Sequence, residues 1–118
     1  MSDVGQVHIH DKHNSIYLYT HWDASTLLRN VRMGLMYGKG RWNDFSYLTS
    51  IIFDYMREIG DFKGISGFGI SCNSDGAAWR VVDIDVYRQI VTVYNNNEKQ
   101  TERWMGSFGK YITINWRK

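Results

Sequence analysis

A chain of 118 residues with 43% hydrophobic and 22% charged positions can bury one core and form one domain, 1–118. It excludes architectures that need about 200 residues or more. Fourteen Lys and Arg against twelve Asp and Glu leave a net charge of +2, too small to mark the whole chain as a nucleic-acid binder. A lone cysteine, Cys72, excludes an internal disulfide, and no segment approaches the roughly 20 apolar residues that span a bilayer. The expectation is a soluble protein of the cytoplasm. Proline is absent and glycine occurs eleven times, so turns fall to Gly, Asn and Asp.

From the N-terminus, short alternating runs predict two strands, Gly5 to His10 and Ser15 to Thr20, joined as a hairpin over Asp11-Lys12-His13-Asn14. Helical spacing of Leu28, Val31 and Leu35 predicts a first helix, capped by Asp23 or Ser25, running to about Tyr37 and stopped at Gly38-Lys39-Gly40. A second helix starts from Asn43 or Asp44. Leu48, Ile51, Ile52, Tyr55 and Ile59 form its apolar stripe, and Gly60 ends it.

The rest reads as strand. Gly67 to Cys72 leads into Asn73-Ser74-Asp75-Gly76, a turn in which Asp-Gly tolerates positive φ. Ala78 to Ile84 and Gln89 to Tyr94 pair across Asp85 to Arg88, and Asn95-Asn96-Asn97 is a turn. Glu102 to Gly109 is compatible with a helical turn, and Tyr111 to Trp116 alternates as a last strand. The order ββααβββ(β) predicts an α+β fold with two helices packed on a mostly antiparallel sheet.

Four constellations could carry chemistry. His8, His10 and His13 spell H-x-H-x-x-H, and His8 and His10 project from one strand face at a spacing that metals use. The pattern departs from the H-x-H-x-D-H of metallo-hydrolases, because Asp11 and Lys12 stand in the wrong order. The plain reading is an exposed terminal strand, and no metal is assigned. Thr20-His21-Trp22-Asp23 lies where a strand meets a helix N-terminus, a place that suits anions. His21 and Asp23 could act as base and partner, but Asp23 is more simply a cap, and no serine or cysteine sits in a nucleophile setting. Cys72 reads as a small core filler. Gly67-Phe68-Gly69 lacks a dinucleotide fingerprint; its bare face implies a close approach, most simply by a helix.

The fourth constellation is basic and aromatic. No acidic residue occurs between Ala24 and Asn43, while Arg29, Arg32, Lys39 and Arg41 supply positive charge and Trp22 and Trp42 precede the two helices. Arginine with tryptophan recognises phosphates and stacks on bases. The same residue types make protein–protein hot spots, and each alone also suits a core indole or a solvated guanidinium.

Ile16-Tyr17-Leu18-Tyr19-Thr20-His21-Trp22, Arg41-Trp42, Tyr47-Leu48, Ile51-Ile52-Phe53 and Gly67-Phe68-Gly69-Ile70-Ser71 together form a spaced pattern, YLYTHW, RW, YL, IIF, GFGIS. This pattern resembles that of a family of small bacteriophage and prophage proteins. The likeness covers roughly residues 16 to 94 and excludes the His-rich strand. No reaction is established for that family, so the likeness implies origin more than activity: a compact accessory protein for counter-defence or host takeover.

The expected function is therefore non-enzymatic. The chain would capture an anionic, nucleotide-like ligand through His21, Trp22, Arg29, Arg41, Trp42 and Arg80, with guanidiniums on phosphate and indoles on a base. The alternative is a protein–protein inhibitor or interaction module blocking a host defence complex; a small His-dependent enzyme stands third. No catalytic residue and no cofactor is assigned. Neither membrane nor nucleic acid is the expected partner. Val4 to His10 reads as a sheet edge that could pair in a symmetric homodimer or a higher homo-oligomer.

Overall fold

The hairpin forms at the expected residues, β1 (Gly5–His10) and β2 (Ser15–Thr20). Its turn is closed by Asp11 Oδ1, which accepts from the backbone N–H groups of His13 and Asn14. The computed structural model describes residues 3–58, 67–95 and 101–116.

A 3-10 turn, Ala24–Thr26, opens the first helix, α1 (Leu27–Tyr37). Neither Asp23 nor Ser25 supplies the expected side-chain cap. The free N–H groups are served from outside the helix: Thr20 Oγ1 accepts from Asp23, and Asp3 Oδ2 accepts from Ser25 at 3.0 Å. Gly38 ends α1, its N–H donating to the Gly34 carbonyl at 2.8 Å. The second helix, α2 (Phe45–Glu58), is capped by Asp44, whose Oδ1 accepts from Tyr47 N–H at 3.1 Å. Leu48, Ile52 and Met56 are buried, and Ile51 and Tyr55 flank them half-buried. The expected Ile59 and Gly60 lie outside the described residues. The two helices approach closely at Gly34, where a Cβ would stand 2.9 Å from the Ile52 Cα.

Four more strands follow: β3 (Phe68–Ser71), β4 (Arg80–Asp85), β5 (Ile90–Asn95) and β6 (Thr101–Ser107). They join the hairpin in one six-stranded sheet, order β3-β2-β1-β4-β5-β6, antiparallel except for the β1–β4 pair. The fold is thus the expected α+β class. Its strand order is not a simple meander after the helices, because β3 pairs with β2 while β4 lies across β1. Nor is β1 an edge. It pairs with β2 on one side and β4 on the other, and its inward side chains Val7 and Ile9 are fully buried.

Since β3 and β4 are not neighbours, the segment between them crosses the end of the sheet instead of making a tight hairpin. Gln6 pins it, with Oε1 accepting from Asp75 N–H at 2.8 Å and Nε2 donating to Ser74 Oγ at 2.9 Å. The positive φ expected at Asp-Gly falls instead on Gln89 (φ 56°), in the turn joining β4 to β5. Asn95 closes β5 as strand; Asn96 and Asn97 lie outside the described residues.

The C-terminal reading is reversed. Residues 101–107 form the last strand, and Tyr111 to Trp116 does not. Ser107 Oγ accepts from Lys110 N–H and caps a one-turn helix, α3 (Phe108–Tyr111). Phe108 and Tyr111 are fully buried, and the Tyr111 hydroxyl donates to the Leu28 carbonyl at 2.7 Å. The apparent alternation reflects aromatic packing: Trp104, Tyr111 and Trp116 contact one another with ring centroids 4.7–5.5 Å apart.

Among the described residues, α1, α2 and α3 pack on one face, over Val7, Ile9, Leu18, Val82, Ile84, Val91 and Val93. Strand alternation sends Gln6, His8, His10, Tyr17, Tyr19, Asp83 and Tyr94 to the other face.

Candidate functional site

The sheet has two ends. Gly5, Thr20 and Arg80 pair at one, so the segment after β2 and the start of β4 lie together there. His21 is held by its backbone, N–H donating to Gly67 and carbonyl accepting from Asp3, both at 2.7 Å. Its ring meets Tyr19 edge-on at 5.4 Å and lies 6.1 Å from the Trp22 ring. Trp22 is 60% exposed.

Arg41 and Trp42 are at the opposite end. Arg41 shares a hollow with Asn14 of the β1–β2 turn and with Asn43, whose Oδ1 accepts from Gln89 of the β4–β5 turn at 2.7 Å. Its guanidinium lies 4.4 Å from the Tyr47 ring centroid and 3.7 Å from Asp44. Trp42 is half-buried and packs against the core: its indole N–H donates to the Leu35 carbonyl at 2.8 Å and its ring meets Phe108 edge-on. Arg29 is exposed on α1, and Arg32 donates from Nε to the Ile112 carbonyl at 2.7 Å. The six residues singled out from the sequence therefore do not converge on one surface. A helix separates Trp22 from Trp42, and the α1 axis carries them apart.

The glycine pair is explained by side chains, not by a helix. A Cβ on Gly67 would meet the Trp22 ring at 2.1 Å, and one on Gly69 would meet the Tyr19 ring at 2.2 Å. Cys72 is exposed and is no core filler, since β3 is an edge strand that ends one residue before it.

Arginine and tryptophan do gather at the end of the sheet that holds Arg80. Arg80 pairs with Asn95 in the β4–β5 register, and β6 adds Arg103 and Trp104 after a register shift at Val93/Tyr94. The chain after α3 brings in Trp116, whose indole N–H donates to the Tyr111 carbonyl at 3.1 Å. Arg80, Asn95, Arg103, Trp104 and Trp116, with Leu28 and Val93, line a hollow of about 300 Å³. The Arg80 guanidinium lies 4.6 Å from the Trp79 ring centroid. Arg80 Nε and Asn95 Oδ1 are buried with no hydrogen-bond partner among the described residues. Burial, and to a lesser degree the charge of Arg103, lower the Arg80 pKa, although Tyr111 and Asp3 act in the opposite sense. A cation held partly out of water beside a second guanidinium suits an anion, and two indoles suit a flat ring.

Arg103, Trp104, Trp116 and Asn95 escaped sequence reasoning because their segments were read as a helical turn, a strand and a loop. A signal was present: Arg41-Trp42, Trp79-Arg80, Arg103-Trp104 and Trp116-Arg117 place an arginine beside four of the five tryptophans. Three of those tryptophans, Trp79, Trp104 and Trp116, belong to this end of the sheet.

On the opposite face of the same strands, His8, His10 and Asp83 form a second group. In the parallel register Asp83 lies opposite His8. Asp83 Oδ2 is 3.2 Å from His8 Nδ1, and Oδ1 is 2.8 Å from His10 Nε2. The His8 ring stacks on Tyr17 at 4.3 Å, and its Nε2 lies 2.7 Å from Ser15 Oγ. Burial raises the Asp83 pKa, but the hydrogen bonds to His8 and His10 outweigh it and hold the carboxyl below the usual range. A hollow of about 180 Å³, lined by Gln6, His8, Tyr17, Ser74, Val81, Asp83 and Tyr94, opens beside the group. His13 stays in the turn and takes no part.

Comparison with protein-family models, with curated proteins and with solved structures gives no match to this chain.

Proposed function

We propose that the chain is a non-enzymatic binding protein that captures a small anionic, ring-bearing molecule of nucleotide type in the hollow lined by Arg80, Asn95, Arg103, Trp104 and Trp116. The observation that carries this reading is that Arg80 Nε and Asn95 Oδ1, both on residues lining this hollow, are buried with no hydrogen-bond partner among the described residues. A donor and an acceptor left unbonded away from water each cost about 1–3 kcal/mol, a cost that a bound polar ligand removes. The arginines would take phosphate; Trp104 and Trp116 would take the base. His21 and Trp22 keep a place at the same end of the sheet, and Arg41 and Trp42 do not.

In a phage accessory protein such capture would sequester a signalling nucleotide in the host cytoplasm, as counter-defence. A homodimer would pair through β3 or β6, the two edges of the sheet. No helix among the described residues is long and apolar enough to cross a membrane.

The second reading, a module that blocks a host complex, is favoured by the β3 edge, where Ile70 is 58% exposed and Trp22 60%. One experiment separates the two: native mass spectrometry of the protein purified from its host, with melting measured in a nucleotide pool. Capture predicts a retained small anion and a raised Tm, about 2.7 kcal/mol of stabilisation at a ligand concentration 100 times Kd. Arg80→Ala and Arg103→Glu should abolish both. A co-purified protein with no response to any nucleotide overturns capture and supports the second reading.

A further inference from the structure

We infer that His8, His10 and Asp83 form a binding site for one divalent d-block ion, zinc foremost, on the sheet face away from the helices. It shares no residue with the Arg80 hollow, so the two proposals stand or fall separately.

The group is positioned by the core. His8 and His10 are two residues apart in β1 and so share a face, and Asp83 reaches them only through the β1–β4 register. That register is fixed by Val7 against Val82 and Ile9 against Ile84, all four fully buried. A slip of one residue would turn Asp83 toward the helices. Fixed backbone on both strands supplies the preorganisation that a histidine pair on a free terminus lacks.

The donor atoms are already close. One atom each from His8, His10 and Asp83 lies within 4.8 Å of the others. Zinc bonds of about 2.0–2.2 Å at tetrahedral angles need donors about 3.4 Å apart. The observed contacts, 3.2 Å from His8 Nδ1 to Asp83 Oδ2 and 2.8 Å from His10 Nε2 to Asp83 Oδ1, fall on the two oxygens of one carboxylate, which turns to offer a single oxygen as an ion replaces the protons between the three groups. The His8 ring is oriented in advance by its stack on Tyr17 and by Ser15 Oγ at Nε2, which leaves Nδ1 for the metal. Two imidazoles and one carboxylate suit zinc and its neighbours and select against magnesium and calcium.

Three protein ligands leave a coordination position open. The adjacent hollow, with Gln6, Tyr17, Ser74 and Tyr94 in its walls, has room for a water or a small anionic donor there.

Calorimetry with zinc ion alone, on the full chain stripped with a chelator, tests the proposal. It expects one zinc per chain, no heat with magnesium, and affinity lowered by well over about tenfold in His10→Ala and in Asp83→Asn, with His13→Ala unchanged. Nitrogen NMR of the imidazoles in the unmutated chain gives an answer that does not depend on a variant folding: zinc should shift His8 Nδ1 and His10 Nε2. Absence of zinc binding, shifts confined to His13 or His21, or full affinity in a folded Asp83→Asn chain would overturn it.

Discussion

Asp83 Oδ1 stands 2.8 Å from His10 Nε2 although 73 residues separate the two in the chain. The contact follows from the parallel pairing of β1 with β4, and the stability of the protein should register it. Asp83, Asp3 and Asp85 all have lowered pKa values: burial opposes each shift, and hydrogen bonds to the carboxylates outweigh it. A depressed carboxyl contributes stability that is present above its unfolded pKa, near about 4, and is lost as pH falls through the folded value. Urea unfolding at a series of pH values should show stability falling below about pH 4, and a shallower fall in Asp83→Asn. An equally steep acid limb in that variant would contradict the assignment.

The crossing of α1 over α2 at Gly34 leaves no room for a methyl group, since the obstacle is the Ile52 backbone. Gly34→Ala should cost about 1–3 kcal/mol through overpacking. Gly40→Ala, with nothing within 4 Å of the added carbon, should be close to neutral. Denaturant midpoints compare the two.

Gly67 makes the opposite case. Its missing Cβ is replaced by the Trp22 ring, the far end of an exposed side chain that can swing aside. Gly67→Ala should therefore change stability by less than about 1 kcal/mol while moving Trp22 into water. The emission difference between Gly67→Ala and the same change in a Trp22→Phe background reads that movement directly.

The Tyr111 hydroxyl ties the C-terminal turn to α1 through the Leu28 carbonyl, and burial raises its pKa well above the ordinary tyrosine value. Tyr111→Phe should cost about 1 kcal/mol. Trp42→Phe removes both the hydrogen bond to Leu35 and part of the ring packed on Phe108, and should cost about 1–3 kcal/mol. Thermal melts of the two variants check the order; a neutral Trp42→Phe would mean that this indole is not part of the core.

Local pattern was sufficient wherever neighbours in sequence make the structure. The β1–β2 hairpin, the two long helices, the Asp44 cap and the β4–β5 pair are all written in periodicity and turn chemistry. Those signals act over a few residues, because a helix satisfies its hydrogen bonds within about four positions and a hairpin across its own turn. Sequence also placed His8 and His10 on one face. What pairs with β1 is a different kind of question. Whether it is an edge or a central strand, and whether Asp83 or solvent meets its histidines, depends on how distant apolar segments share one buried face. The same holds for Arg80, Arg103, Trp104 and Trp116, drawn from three separate segments by strand register and by the docking of Tyr111 beneath α1. No local pattern encodes such meetings, because their free energy belongs to the assembled core.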